Sequence, residues 1–247
     1  MSERHWQRPA LATTALALLG AAAVAGCGNS ASNSQASTSQ ASATRTAGVA
    51  AATGHKSFTA AQLENALLTK VSGERPAAPA EAGDYGALPD VQTSKQTMNG
   101  VQVTPAKCAQ ATVTGFNSAA FSQAPASVVT FRVGRDGVSE VLVSATPETA
   151  ATVLGNRLPA GCSHYTAKVD GRTFRYSVKE AAVSSLADQA RALNVKAAGY
   201  SQVDVWSVVY KANGFVGAVT IVGPDASELG AKQLASQAYA YAAQSLP

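Results

Sequence analysis

Charge is scarce in this chain. Asp, Glu, Lys and Arg make up 14% of its 247 residues and aromatic residues 6%, where globular domains carry about 25% charged residues. The formal balance is 19 Lys and Arg against 15 Asp and Glu, a surplus of +4, too small to make nucleic acid the expected partner. Cysteine is scarcer still, at three, which excludes a disulfide-dense scaffold. No internal apolar run approaches the roughly 20 residues of a membrane-crossing helix. A Gly-rich phosphate loop, a Gly-x-Ser-x-Gly elbow and a His/Cys cluster with zinc spacing are all missing, so no nucleotide, metal or other cofactor is expected. The apolar share is 46%, but much of it is alanine, which adds little to a core.

What is present begins with an address. Residues 1–9, MSERHWQRP, set Arg4 and Arg8 against Glu3, and residues 10–26, ALATTALALLGAAAVAG, carry no charge. A basic tip before a short apolar run that ends in small residues predicts a secretory signal peptide over 1–26. No twin arginine is present, which favours the general secretory route. The junction Val24-Ala25-Gly26-Cys27 resembles the bacterial lipobox. That resemblance implies a diacylglyceryl thioether on Cys27, with the membrane as a partner through two or three acyl chains.

From Gly28 to Lys56 the chain contains no acid, and Val49 is its only apolar residue larger than alanine. Such a stretch buries too little to offset its ordering entropy, so 27–56 is expected to be a lipidated cysteine and a disordered tether. As a flexible coil it would reach about 30 Å.

At residue 57 the composition changes to that of one domain, 57–247. Thr59 and Gln62 form a capping box before Leu63, Leu67 and Val71, with Gly73 as the stop. A Pro/Ala/Gly-rich loop is expected next. Three hairpins then follow: 127–134 with 138–144 around Arg135-Asp136-Gly137, 164–169 with 172–178 around Asp170-Gly171, and 201–211 with 215–222 around Asn213-Gly214. Thr146-Pro147-Glu148 opens a helix expected to reach about Leu158, and Asp225 to Glu228 a second capping box before the last helix. The predicted class is α+β, a mainly antiparallel sheet of hairpins with helices on one face.

Alternation puts Val129, Phe131 and Val133 opposite Thr130 and Arg132, and Phe174, Tyr176 and Val178 opposite Thr173, Arg175 and Ser177. Strand 203–210 is apolar on both sides, with Val203, Val205 and Val209 on one and Trp206, Val208 and Tyr210 on the other. A strand of this kind is covered twice, by the 74–105 loop or by a ligand. In the ligand case Trp206 and Tyr210 supply flat contact surface, and Arg132 and Arg175 meet an anionic group. Lys168, Arg175, Lys179 and Arg132 are also a candidate basic patch, but Glu140, Glu180 and Asp204 are interspersed in the sequence, so the expectation is a solvated face of mixed charge. Cys108 and Cys162 remain after Cys27 is lipidated, and in an oxidising compartment they are expected to pair. His164, beside Ser163 and upstream of Asp170, is the one candidate catalytic residue of the domain, but neighbours on a strand point to opposite faces. No catalytic residue and no metal ligand is therefore assigned.

The lipobox, polar tether, opening helix FTAAQLENALLT, mid-domain Cys108 and LGNRLPAGCSHYT at 154–166 together resemble actinobacterial cell-envelope lipoproteins. They also resemble the extracytoplasmic sensor domain of the mycobacterial PknH-like serine/threonine kinases, over most of 57–247. The resemblance implies an antiparallel sheet with flanking helices and a cleft for an unnamed ligand, with no catalytic residue. This chain departs from that pattern in having cysteines for one disulfide rather than two. The expectation is a non-enzymatic, membrane-anchored domain that binds a small envelope molecule or a partner protein. The alternatives are an envelope hydrolase using His164 and a purely structural interaction module.

Overall fold

The computed structural model describes residues 56–111, 116, 119–198 and 203–246. The expected signal peptide, Cys27 and nearly all of the tether lie outside the described residues. The rest is one antiparallel nine-stranded sheet with four helices. Strands β3 (Pro125–Val133) and β4 (Asp136–Ser144), β5 (His164–Val169) and β6 (Arg172–Ala181), and β8 (Val203–Ala212) and β9 (Phe215–Gly223) are the three hairpins read from the turn residues. At the β5–β6 turn Asp170 and Gly171 both take positive φ, 48° and 79°, as a two-residue Asp-Gly hairpin requires.

Three strands and one helix escape the sequence pattern. The loop expected through about residue 90, and the wider 74–105 segment, instead contain β1 (Glu81–Asp84), α2 (Pro89–Asn99) and β2 (Gln102–Thr104). Two of these strands are too short for alternation to register, and α2 buries only Val91. Strand β7 (Gln189–Ala198) reads QARALNVKAA, whose alanines and scattered charges hide a strand buried from Arg191 to Val195.

The sheet order is β1-β3-β4-β9-β8-β7-β6-β5-β2. A five-strand meander, β5 to β9, receives the β3–β4 hairpin along β9, and the two shortest strands close the edges. The helices lie on both faces rather than one. On the front face α1 (Ala60–Asn65) and α4 (Glu228–Ser245) pack over Phe131, Leu142, Trp206, Val208, Tyr210 and Val219. On the back face α2, and α3 (Pro147–Gly155), cover Val128, Val143, Val209 and Val216. A second back-face cluster surrounds the Cys108–Cys162 disulfide with Tyr165, Tyr176, Val178, Val195 and Val205. Full burial of a Leu or Val here contributes roughly 1.5–3 kcal/mol.

The helix ends also differ from the reading of the sequence. The Thr59–Gln62 capping box forms, but α1 stops at Asn65, and Leu67 and Val71 reach the core from non-helical backbone. Helix α3 ends at Gly155. The cap of α4 is Ser227, whose Oγ accepts from the Gly230 N–H at 3.2 Å. Asp225 is taken by Arg135 in a 2.8 Å ion pair that ties the β3–β4 turn to the α4 entry.

Candidate functional site

Strand β8 is covered twice by the protein itself. Trp206 and Tyr210 turn to the front face at 8% and 0% exposure, under α4 and not under residues 74–105. The Tyr210 ring meets Phe215 and Tyr239 edge-on at 6.4 and 5.9 Å. Gly217 lies opposite it in the register, and any side chain there would collide with the ring. Arg132 projects from the back face, while Arg175 stands exposed on the front face of β6. Trp206, Tyr210, Arg132 and Arg175 therefore do not gather into one site. Alternation had put the two aromatics on a face of their own, but it carried no sign that α4 would fill it.

Beside Tyr210 on the front face lies Glu140, 1% exposed. Its Oε2 accepts from the Leu68 N–H at 2.8 Å. Burial pushes its carboxyl up to about 7 against that hydrogen bond. The same burial, with Glu140 nearby, drives the Tyr210 hydroxyl well above its ordinary range.

The back face carries a polar seam between its two apolar clusters. The ladder aligns Thr130, Ser139, Thr220, Ser207, Leu193 and Glu180 across six strands. Ser139, Ser207 and Thr220 are buried, and the Ser207 and Thr220 hydroxyls hydrogen-bond at 2.9 Å. Next to this row, opposite Val209, is Arg191. Its side chain is 10% exposed, and its Nε has no partner among the described residues. One guanidinium nitrogen lies 3.9 Å from Glu180 Oε1, an oxygen that also accepts the Leu158 N–H at 3.0 Å. Burial pulls the Arg191 guanidinium below its ordinary range; Glu180 opposes that and nearby Arg157 adds to it. Arg191 therefore shares Glu180 with a backbone N–H, and exposed Arg157, two residues beyond the end of α3, adds a second positive charge nearby. What the arrangement can do chemically is offer guanidinium N–H donors to an anion.

Cys108 and Cys162 are joined, fixing the turn at 106–110 to the start of β5. The bond lies beside the stacked Tyr165 and Tyr176 rings, 5.0 Å apart. His164 is exposed, with its Nδ1 3.2 Å from Ser163 Oγ. Asp170 lies at the far end of β5, about 20 Å along the strand, so it does not complete a triad with Ser163 and His164. Arg191 and Arg157 were not singled out from sequence. The available signal was a lone arginine inside the apolar stretch ARALNV, which becomes conspicuous only once that stretch is known to be a strand.

No protein-family model matches this chain, and no curated protein matches it. Among solved structures it shares its fold with the extracellular domain of PknH from Mycobacterium tuberculosis. The TM-score is 0.55 at 13% identity, covering 77% of this chain and 100% of that one. An uncharacterised Mycobacterium smegmatis protein, a Rv0999 ortholog, aligns with a TM-score of 0.39 at 16% identity, over 58% of this chain and 76% of that one.

Proposed function

We propose that this chain is an extracytoplasmic binding domain of the sensor kind, anchored to the cell membrane through acylated Cys27 and performing no chemistry of its own. One conjunction carries the reading. A basic tip, an apolar run and Val-Ala-Gly-Cys precede a domain with the fold of a kinase's extracellular domain. Residues 1–26 would be the signal peptide and 27–56 the tether, long enough to hold the domain about 30 Å from its anchor. The ligand is a small envelope molecule or a segment of a partner protein bearing an anionic group, received by Arg191 and Arg157 on the back face. A buried guanidinium cannot discard its proton, so an anion offsets its desolvation where solvent cannot.

Metabolic labelling with a fatty-acid probe, followed by membrane fractionation of the wild type and Cys27→Ala, tests the anchor. The wild type should carry label and sediment with membranes, and Cys27→Ala should lose both. A Cys27→Ala chain that is still acylated and membrane-bound overturns it. His164→Ala should leave any measured function unchanged, and a large loss of turnover with the fold intact would put the hydrolase reading first.

A further inference from the structure

Register separates charges that the sequence interleaves. On β5, β6 and β7 the front face carries Lys168, Arg175, Lys179 and Lys196, all exposed. Glu180 is on the back face and Glu140 is buried beneath α1. On the strands of this half the front face keeps one acid, Asp204, which pairs with Lys196 at 3.2 Å. The front face of these strands therefore carries 4 − 1 = +3, while residues 57–247 carry 15 − 14 = +1 in all, leaving −2 for the rest of the domain. Off the strands, Glu228 at the start of α4 lies near Lys179 but is paired with Lys232 at 2.6 Å.

The four cations form a line. Lys168 is opposite Thr173, two residues from Arg175; Arg175 is opposite Ala198, two from Lys196; Lys196 is opposite Ser177, two from Lys179. Each step is a diagonal neighbour, about 7–8 Å. Between them stand Thr166, Thr173 and Ser177, hydroxyls with no large apolar side chain among them. This surface lacks the aromatic and aliphatic anchors of a protein–protein interface.

From this charge line we infer that the front face of β5–β7 is a shelf for a linear polyanion, a chain polymer with repeating phosphate or carboxylate groups. Charge complementarity selects the class, and shape selects the polymer over a bilayer. Helix α4 packs on β8 and β9 of the same face and stands about 10 Å proud of the strands, so a flat lipid surface meets α4 before it meets the shelf. The chain's own tether is no competitor, because residues 28–56 contain Arg45 and Lys56 but no acid. This inference stands apart from the back-face arginines and from the lipid anchor.

The test titrates the full-length chain in a non-ionic detergent with long-chain inorganic polyphosphate and with polygalacturonate, at several salt concentrations. Saturable binding to at least one polymer is expected, and the tighter polymer identifies the anionic group. Arg175→Glu/Lys179→Glu should weaken it about tenfold or more and lower the log–log salt slope by about 2. Lys70→Glu/Arg132→Glu, an equal charge change elsewhere, should change affinity less than about twofold by the same reasoning. Equal losses in both double variants, or no saturable binding to either polymer, would overturn the shelf. So would a preference for anionic over neutral vesicles, with Cys27→Ala as the test chain, in the absence of polymer binding.

Discussion

Two charged side chains are buried on opposite faces of one sheet, and they are treated differently. Glu140 on the front face has a backbone N–H for one oxygen and no partner among the described residues for the other, and its carboxyl rises to about 7, so near neutrality it can shed its charge by taking a proton. Arg191 on the back face has no such exit. It shares Glu180 with a backbone N–H, has a second arginine nearby, and leaves Nε unpartnered among the described residues. A buried acid that can become neutral is compatible with a closed core. A buried guanidinium beside a second one points to an anion. The front face of β8 is thus core, and the anion site we propose lies in the back-face seam.

Two substitutions of similar size head the tests of this division. Trp206→Ala should cost about 3–5 kcal/mol in urea unfolding, because its ring is packed under α4. A cost below 1 kcal/mol would reopen the front face as a ligand wall. Removing the Cys108–Cys162 bond, which closes a 54-residue separation, should cost about 4 kcal/mol in the chain-entropy model. Free-thiol titration of the unreduced protein in denaturant should find neither cysteine.

The two buried charges separate at the next level. Glu140 has its folded pKa raised above 4.5 toward 7, so the folded state holds a proton that the unfolded state has released. Its contribution to stability is full below about pH 4.5, declines as pH rises to about 7, and is flat beyond. Glu140→Gln should therefore gain stability relative to wild type between pH 5 and pH 8, read from urea midpoints at both. Arg191→Met should cost no more than about 3 kcal/mol, because it strips Glu180 of its cation but leaves a carboxylate that is a third exposed and still accepts the Leu158 N–H, with no change across that range. A Glu140→Gln difference independent of pH, or an Arg191→Met loss above about 3 kcal/mol, would break the contrast. Smallest of all, Arg175→Glu/Lys179→Glu on the exposed shelf should stay within about 0.5 kcal/mol of wild type.

Local chemistry made part of this legible in the sequence. Asp170-Gly171 and Asn213-Gly214 announced their hairpins, Thr59 with Gln62 announced a helix start, and Cys108 and Cys162 were the two thiols left to pair. What stayed hidden depends on long-range register. Strand β7 has few β-branched residues to mark it, and without it neither the Arg191 seam nor the Lys196 link in the cationic line can be placed. Trp206 was read correctly as lying on an apolar face, but a strand pattern does not say whether a distant helix covers that face. The apparent mixing of Lys179 with Glu180 dissolves once the two residues are known to point to opposite sides.

The most direct measurement is native mass spectrometry of the full chain, extracted gently from the envelope in which it is made, on wild type and Arg191→Met side by side. The wild type should carry one small anionic molecule that a folded Arg191→Met lacks. An adduct that persists in well-folded Arg191→Met, or a wild type that carries none, would contradict a binding site on the back face.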